Sequence, residues 1–279
     1  MAHTPTTAPR KTAGIGDWPI IALLNPREHT PWVILAVLTG IVAGSLGMQW
    51  LAWPFWSAVA AVIVFMLVPS IAKWRSDQQK YGEAVMGVSF LLVTQGFHTV
   101  EHLAQWVQYH VLSWDKRAAV GLLSPANSEW VHFVWNSIVL VVVALLIWRG
   151  MRNIWAWLLL FWAFAHTAEH TYMFVRYLQV LDQLQGLGIS DVTAQGMPGF
   201  FGRDGWLARN AELCGPLLAS LPGLATANRI DVHFWWNAGE ATLLGLAAHR
   251  FLSIALKPVG GTVGTSAALT HSISEKESL

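Results

Sequence analysis

The chain has 279 residues, 54% of them hydrophobic and only 12% charged, with a formal net charge of +1. Soluble domains carry about 25% charged residues, so the composition points to a bilayer as the solvent. The balanced charge, with no basic stripe, excludes a nucleic-acid partner, and the single cysteine, Cys214, excludes an intrachain disulfide or a cysteine-cluster metal site.

Residues 1–16 are polar and contain no apolar stretch, so no cleavable signal peptide is expected, and 1–30 reads as a cytoplasmic N-terminal segment. Around Trp18, residues 15–26 fit a short interfacial stretch. A spanning helix needs about 20 largely apolar residues. Six segments qualify: 32–50, 53–72, 84–112, 129–149, 153–180 and 231–254. Unpaired sheet edges cannot face lipid, so these runs are expected to be helices. Many of the 17 Trp residues sit near run ends, as interfacial tryptophans do. The expected organisation is a transmembrane hairpin over 31–72, a second over 84–149, a third over 153–254 with an outer capping loop at 181–230, and a disordered tail over 258–279. With six spans, Lys and Arg divide 11 to 6 in favour of the side holding the termini. The positive-inside rule then puts the termini in the cytoplasm, in an inner membrane, and turns loops 113–128 and 181–230 outward.

Two patterns recur in order along the chain. His98-Thr99-Val100-Glu101-His102 matches His166-Thr167-Ala168-Glu169-His170 at an offset of 68 residues. Val131-His132-Phe133-Val134-Trp135-Asn136 matches Val232-His233-Phe234-Trp235-Trp236-Asn237 at an offset of 101 residues. The pairing predicts an all-α integral membrane fold whose last four helices are a duplicated helical hairpin. The two copies would be related by a pseudo-two-fold axis along the membrane normal and would form a four-helix bundle. On a helix, His98, Glu101 and His102 stand at i, i+3 and i+4 and share a face, as do His166, Glu169 and His170. His132 and His233 enter from the partner helices.

An ionisable side chain at the bilayer centre costs roughly 2.5–3.5 kcal/mol or more. Six His and two Glu together would exceed a typical fold stability of about 5–15 kcal/mol unless something compensates them. A divalent metal is an efficient compensator. Imidazole suits zinc, copper and iron, and three protein ligands with an open position is the plan of catalytic zinc sites. The expected ligands are His98, His102, His132, His166, His170, His233, Glu101 and Glu169, around two ions at a shared centre or one in each half. Glu101, Glu169 and Glu240 are candidate bases, with Glu240 unmatched in the first half, where Val139 stands. Asn136 and Asn237 are candidate orienters of the imidazoles. H-x-x-E-H is also the inverse zinc-peptidase signature, but a single-site peptidase does not need it twice, so the chemistry carries over and the family does not.

The leading functional expectation is a membrane oxidoreductase acting on a lipophilic or small diffusible substrate. The alternatives are a haem- or metal-binding subunit for electron transfer or assembly, and a zinc-dependent membrane hydrolase. The expected partners are the lipid bilayer and either further membrane subunits or a second copy, with the first two helices as the available surface.

Overall fold

The structure is a computed structural model that describes residues 18–189, 196–210 and 223–256. The segment before Trp18, Glu212, Cys214 and the 258–279 tail lie outside the described residues, as do two stretches of the expected capping loop.

Eight α-helices are described, with no strand among the described residues: α1 Pro19–Leu24, α2 Thr30–Leu51, α3 Phe55–Tyr81, α4 Glu83–His110, α5 Glu129–Trp148, α6 Ile154–Gly186, α7 Trp206–Arg209 and α8 Arg229–Ala255. Three starts are fixed by side-chain caps. Ser128 accepts from the Val131 N–H, Asn153 from Ala156 and Asn228 from Asp231, each satisfying an orphan donor of the first turn.

Helix α3 continues to Tyr81 rather than stopping near residue 72. The apolar run ends there, but Lys73 and Asp77 pair at i, i+4 at 2.5 Å, and the Lys73 ammonium also reaches the Ser89 hydroxyl of α4 at 3.3 Å. The charged turn is therefore buried against a neighbour and keeps its helical form.

By length and composition, three helical segments can cross a membrane: Arg27–Leu51, Phe55–Tyr81 and Glu129–Trp148. These mark the chain as a membrane protein. Helices α4, α6 and α8 are comparably long, at 28, 33 and 27 residues. Their inward faces carry His, Glu, Gln and Asn side chains, which dilute their apolar character. Helix α2 buries only Ala36, Gly40, Gly44 and Gly47 and exposes Trp32, Ile34, Leu35, Leu38, Ile41 and Val42, as a lipid-facing helix does. The small residues let α2 and α3 approach closely. A Cβ at Gly40 would overlap the Val62 backbone, and one at Gly44 would overlap Ala58.

Helix α4 packs on α5 and α8, and α6 packs on the same two, so the four close a ring in the order α4, α5, α6, α8. Helix α3 covers α4, and α1 packs against α8 and α4. The ring holds two cores stacked along its length. At one end Val85, Val88, Leu91, Val143, Leu159 and Leu252 belong to an apolar cluster closed by Leu23 of α1. Towards the other end, beneath the loops 111–128 and 196–210, the buried residues are His102, His132, His166, His170, His233 and Glu240. The apolar half supplies the burial that holds the four helices together, and the polar half is the site.

Candidate metal centre

Six imidazoles line the interior of the ring. His98 and His102 come from α4, His132 from α5, His166 and His170 from α6, and His233 from α8. The ring centroids of His98 and His102 lie 4.7 Å apart, those of His102 and His132 5.3 Å, and those of His166 and His170 4.9 Å. The two sets touch: His132 stacks on His170 at 5.0 Å, and His233 lies 5.1 Å from His170 and 5.5 Å from His102. Among the described residues, His98, His102 and His132 are the group of three ligand-type side chains whose donor atoms all meet within 4.8 Å. This trio could hold a metal ion.

The hydrogen bonds behind the rings decide which nitrogen faces the centre. A carbonyl or carboxylate oxygen can only accept, so a ring nitrogen beside one must carry the proton. His132 Nδ1 donates to the Ser128 carbonyl at 3.2 Å and His233 Nδ1 to the Arg229 carbonyl at 2.9 Å. His166 Nδ1 donates to Glu240 Oε2 at 2.9 Å. For His102 the direction is set by a relay. Asn127 donates to the Val120 carbonyl, so its Oδ1 receives from Gln105. Gln105 Oε1 then accepts from His102 Nδ1 at 3.1 Å.

In the neutral form of these rings the other nitrogen, Nε2, carries the lone pair. His102 Nε2 and His132 Nε2 face each other at 3.3 Å. Two lone pairs at that distance repel unless a cation lies between them. Two nitrogens on one tetrahedral zinc, each about 2.0–2.1 Å from it, are themselves about 3.3–3.4 Å apart. His166 Nε2 and His170 Nε2 are 3.2 Å apart, a spacing that one hydrogen bond from His170 to His166 satisfies. His98 Nε2, His170 Nδ1 and His233 Nε2 are buried without a hydrogen-bond partner. An orphaned buried polar atom costs about 1–3 kcal/mol, so the donor set fits metal ions and fits an apolar packing role poorly.

The carboxylates behave differently from the imidazoles. Glu101 and Glu169 do not point into the cluster in this structure. Glu101 accepts the N–H groups of Leu122 and Leu123 at 2.8–3.0 Å. Glu169 accepts those of Phe200 at 2.9 Å and Phe201 at 3.4 Å. Each binds a loop turn that begins with a glycine. Gly121 has φ +75°, and a Cβ at Gly121 or Gly199 would overlap the carboxylate. The physical reason is rotation: successive helical residues lie about 100° apart, so Glu101 faces the loop while His102 faces the axis. In this structure the two acids, expected with the His as ligands or bases, face the loops. They anchor the loops that close the bundle.

Glu240 is buried and does reach the cluster. Besides His166 it accepts from Gln95 Nε2 at 3.2 Å, and Gln95 is itself oriented by the Trp135 indole N–H at 3.0 Å. Its contact is with the far nitrogen of His166, so it stands behind the ring. Asn136 and Asn237 touch no imidazole. Each donates to the backbone carbonyl of the His one turn earlier, His132 at 2.9 Å and His233 at 3.0 Å. They hold the helix turn that carries the ring, whereas the expectation had them orienting the ring.

Three further residues bear on the cluster. Gln105 and Asn127 form the relay to His102; the polar stripe along α4 was the available signal for Gln105. Arg229 pairs with the buried Glu129 at 2.8 Å, tying the first turns of α8 and α5 together over the cluster. Glu129 is buried, as a latch between the two helices.

No protein-family model matches this chain, and neither a curated protein nor a solved structure matches it significantly.

Proposed function

We propose that this chain is a six-span integral-membrane metalloprotein with an all-imidazole centre for two transition-metal ions, acting as an oxidoreductase on a small substrate. One ion is assigned to His98, His102 and His132, the other to His166, His170 and His233. The carrying observation is the pair of Nε2 lone pairs of His102 and His132 facing each other at 3.3 Å. Nitrogen-only ligation by imidazole suits iron, copper and zinc. Bound there, iron or copper would supply electron transfer, and zinc would supply an activated water.

The chain's own residues have separable tasks in this reading. The Ser128 and Arg229 carbonyls, Gln105 and Glu240 hold the Nδ1 protons and so present Nε2 inward. Acceptors that hold the far nitrogen of a ligating imidazole fix ring orientation and raise ligand basicity. Glu101 and Glu169 keep the loops closed over the cluster. The recurrence of both sequence patterns, with parallel hydrogen bonds at Asn136 and Asn237 and at Glu101 and Glu169, supports a duplicated hairpin with α4–α5 and α6–α8 as its copies. The lysine and arginine distribution supports cytoplasmic termini in an inner membrane, with the loops and the site toward the outer face. The apolar faces of α2 and α3 suit lipid, a second copy or another membrane subunit.

Elemental analysis of the purified protein, beside His102→Ala and His170→Ala variants, tests the proposal. Two metal equivalents are expected, each variant losing one or both. Wild-type protein without stoichiometric metal refutes it. Absorption and paramagnetic resonance spectra then separate iron and copper from zinc, and a zinc-only protein moves the chemistry to hydrolysis.

A further inference from the structure

Two adjoining cavities of about 380 and 400 Å³ lie between the imidazoles and the loops, sharing Lys116, Gly196, Arg229 and His233. They fall at the small end of the usual range of ligand pockets, about 300–1,000 Å³. The first has His102, His132 and His233 in its lining, together with Lys116, Arg117 and Arg229. Its lining contains three cations and no carboxylate. Arg229 gives one N–H to Glu129. Lys116 and Arg117 have no carboxylate partner among the described residues. The second cavity has three cations, Lys116, Arg203 and Arg229, against two carboxylates, Asp204 and Glu169. The larger excess of positive charge therefore belongs to the first chamber, which has three imidazoles in its lining.

We infer that this chamber binds a small anion, a carboxylate or oxyanion, between Lys116, Arg117 and Arg229 and the imidazoles of His102, His132 and His233. A cationic pocket walled by protein raises the local concentration of anions and strengthens each contact relative to open water. The inference rests on the metal reading in one respect: the imidazole lone pairs repel an anion, and a bound cation reverses that sign. The anion therefore sits on the chamber side of His102, His132 and His233 and is the substrate class that the proposed centre would admit.

The test is calorimetric titration of the full-length protein in lipid nanodiscs with acetate and with acetamide, which have nearly the same shape but differ in charge. Metal content is measured on the same samples. Saturable one-to-one acetate binding is expected, with none for acetamide. The double variant Lys116→Ala, Arg117→Ala should weaken acetate binding by about tenfold or more while leaving metal content unchanged. Equal behaviour of acetate and acetamide in the metal-loaded protein overturns the inference, as does a double variant that binds acetate normally; in either case the metal assignment stands. Failure of the metal reading has a different signature: no stoichiometric metal, with charge-selective acetate binding still lost in the double variant. That outcome keeps Lys116, Arg117 and Arg229 as the anion site and overturns its contact with the imidazoles.

Discussion

Substituting Glu240 is the sharpest probe of the centre, because one oxygen of this buried side chain serves two donors. Its Oε2 accepts from His166 Nδ1 at 2.9 Å and from Gln95 at 3.2 Å. Hydrogen bonds to a charged group contribute about 1.5–3 kcal/mol net, against about 0.5–1.5 kcal/mol for neutral ones. At about 1.4 kcal/mol per decade, removing the carboxylate should weaken metal binding through His166 by roughly 10–100-fold, the range found for outer-shell partners of ligating His. Glu240→Gln keeps an acceptor and should fall between wild type and Glu240→Leu. No contact joins Glu240 to His98, His102 or His132, so that trio serves as an internal control. The assay is chelator competition on purified protein in nanodiscs, with circular dichroism to verify that each variant is folded. Two affinities should appear in Glu240→Leu, one near wild type and one weakened. The reasoning is refuted if both are unchanged, or if both fall equally.

Two further outcomes are expected. Glu169→Ala leaves the Phe200 and Phe201 N–H groups without their acceptor, at about 1–3 kcal/mol for each one that stays buried, so hydrogen exchange over 196–210 should accelerate while bound metal is retained. Lys73→Met alone removes the 2.5 Å partner of the buried Asp77 and leaves it Arg27 at 3.9 Å, so it should destabilise by at most about 3 kcal/mol, whereas Lys73→Met with Asp77→Leu should be close to neutral; denaturant titration of the three proteins distinguishes a buried ion pair from an exposed one.

The helical segments and the inward His positions were legible because they depend on local periodicity. His98 and His102, like His166 and His170, are one turn apart, and no tertiary information is needed to put them on one face. Glu101 and Glu169 misled for a related reason: i+3 lies on the same broad side of a helix as i and i+4, but rotation brings it to a different neighbour. What those acids bind is a turn 21–32 residues away, which no helical pattern encodes. Glu240 was legible as an unmatched acid in a repeat. The latch between Glu129 and Arg229 was not, because the partners are 100 residues apart and belong to no shared motif. The extension of α3 past residue 72 was hidden by reading charge as the end of a helix, when Lys73 and Asp77 neutralise each other inside it.

The imidazoles that meet most closely, His98, His102 and His132, all belong to α4 and α5. By the time synthesis has passed Trp148, every ligand of that trio exists, whereas His166 and His170 wait for α8 to bring His233 and Glu240. In the proposed reading, the order of synthesis would let the first trio acquire an ion while α8 is still being translated, and a chain truncated before α8 would keep His98, His102 and His132 and lack His233.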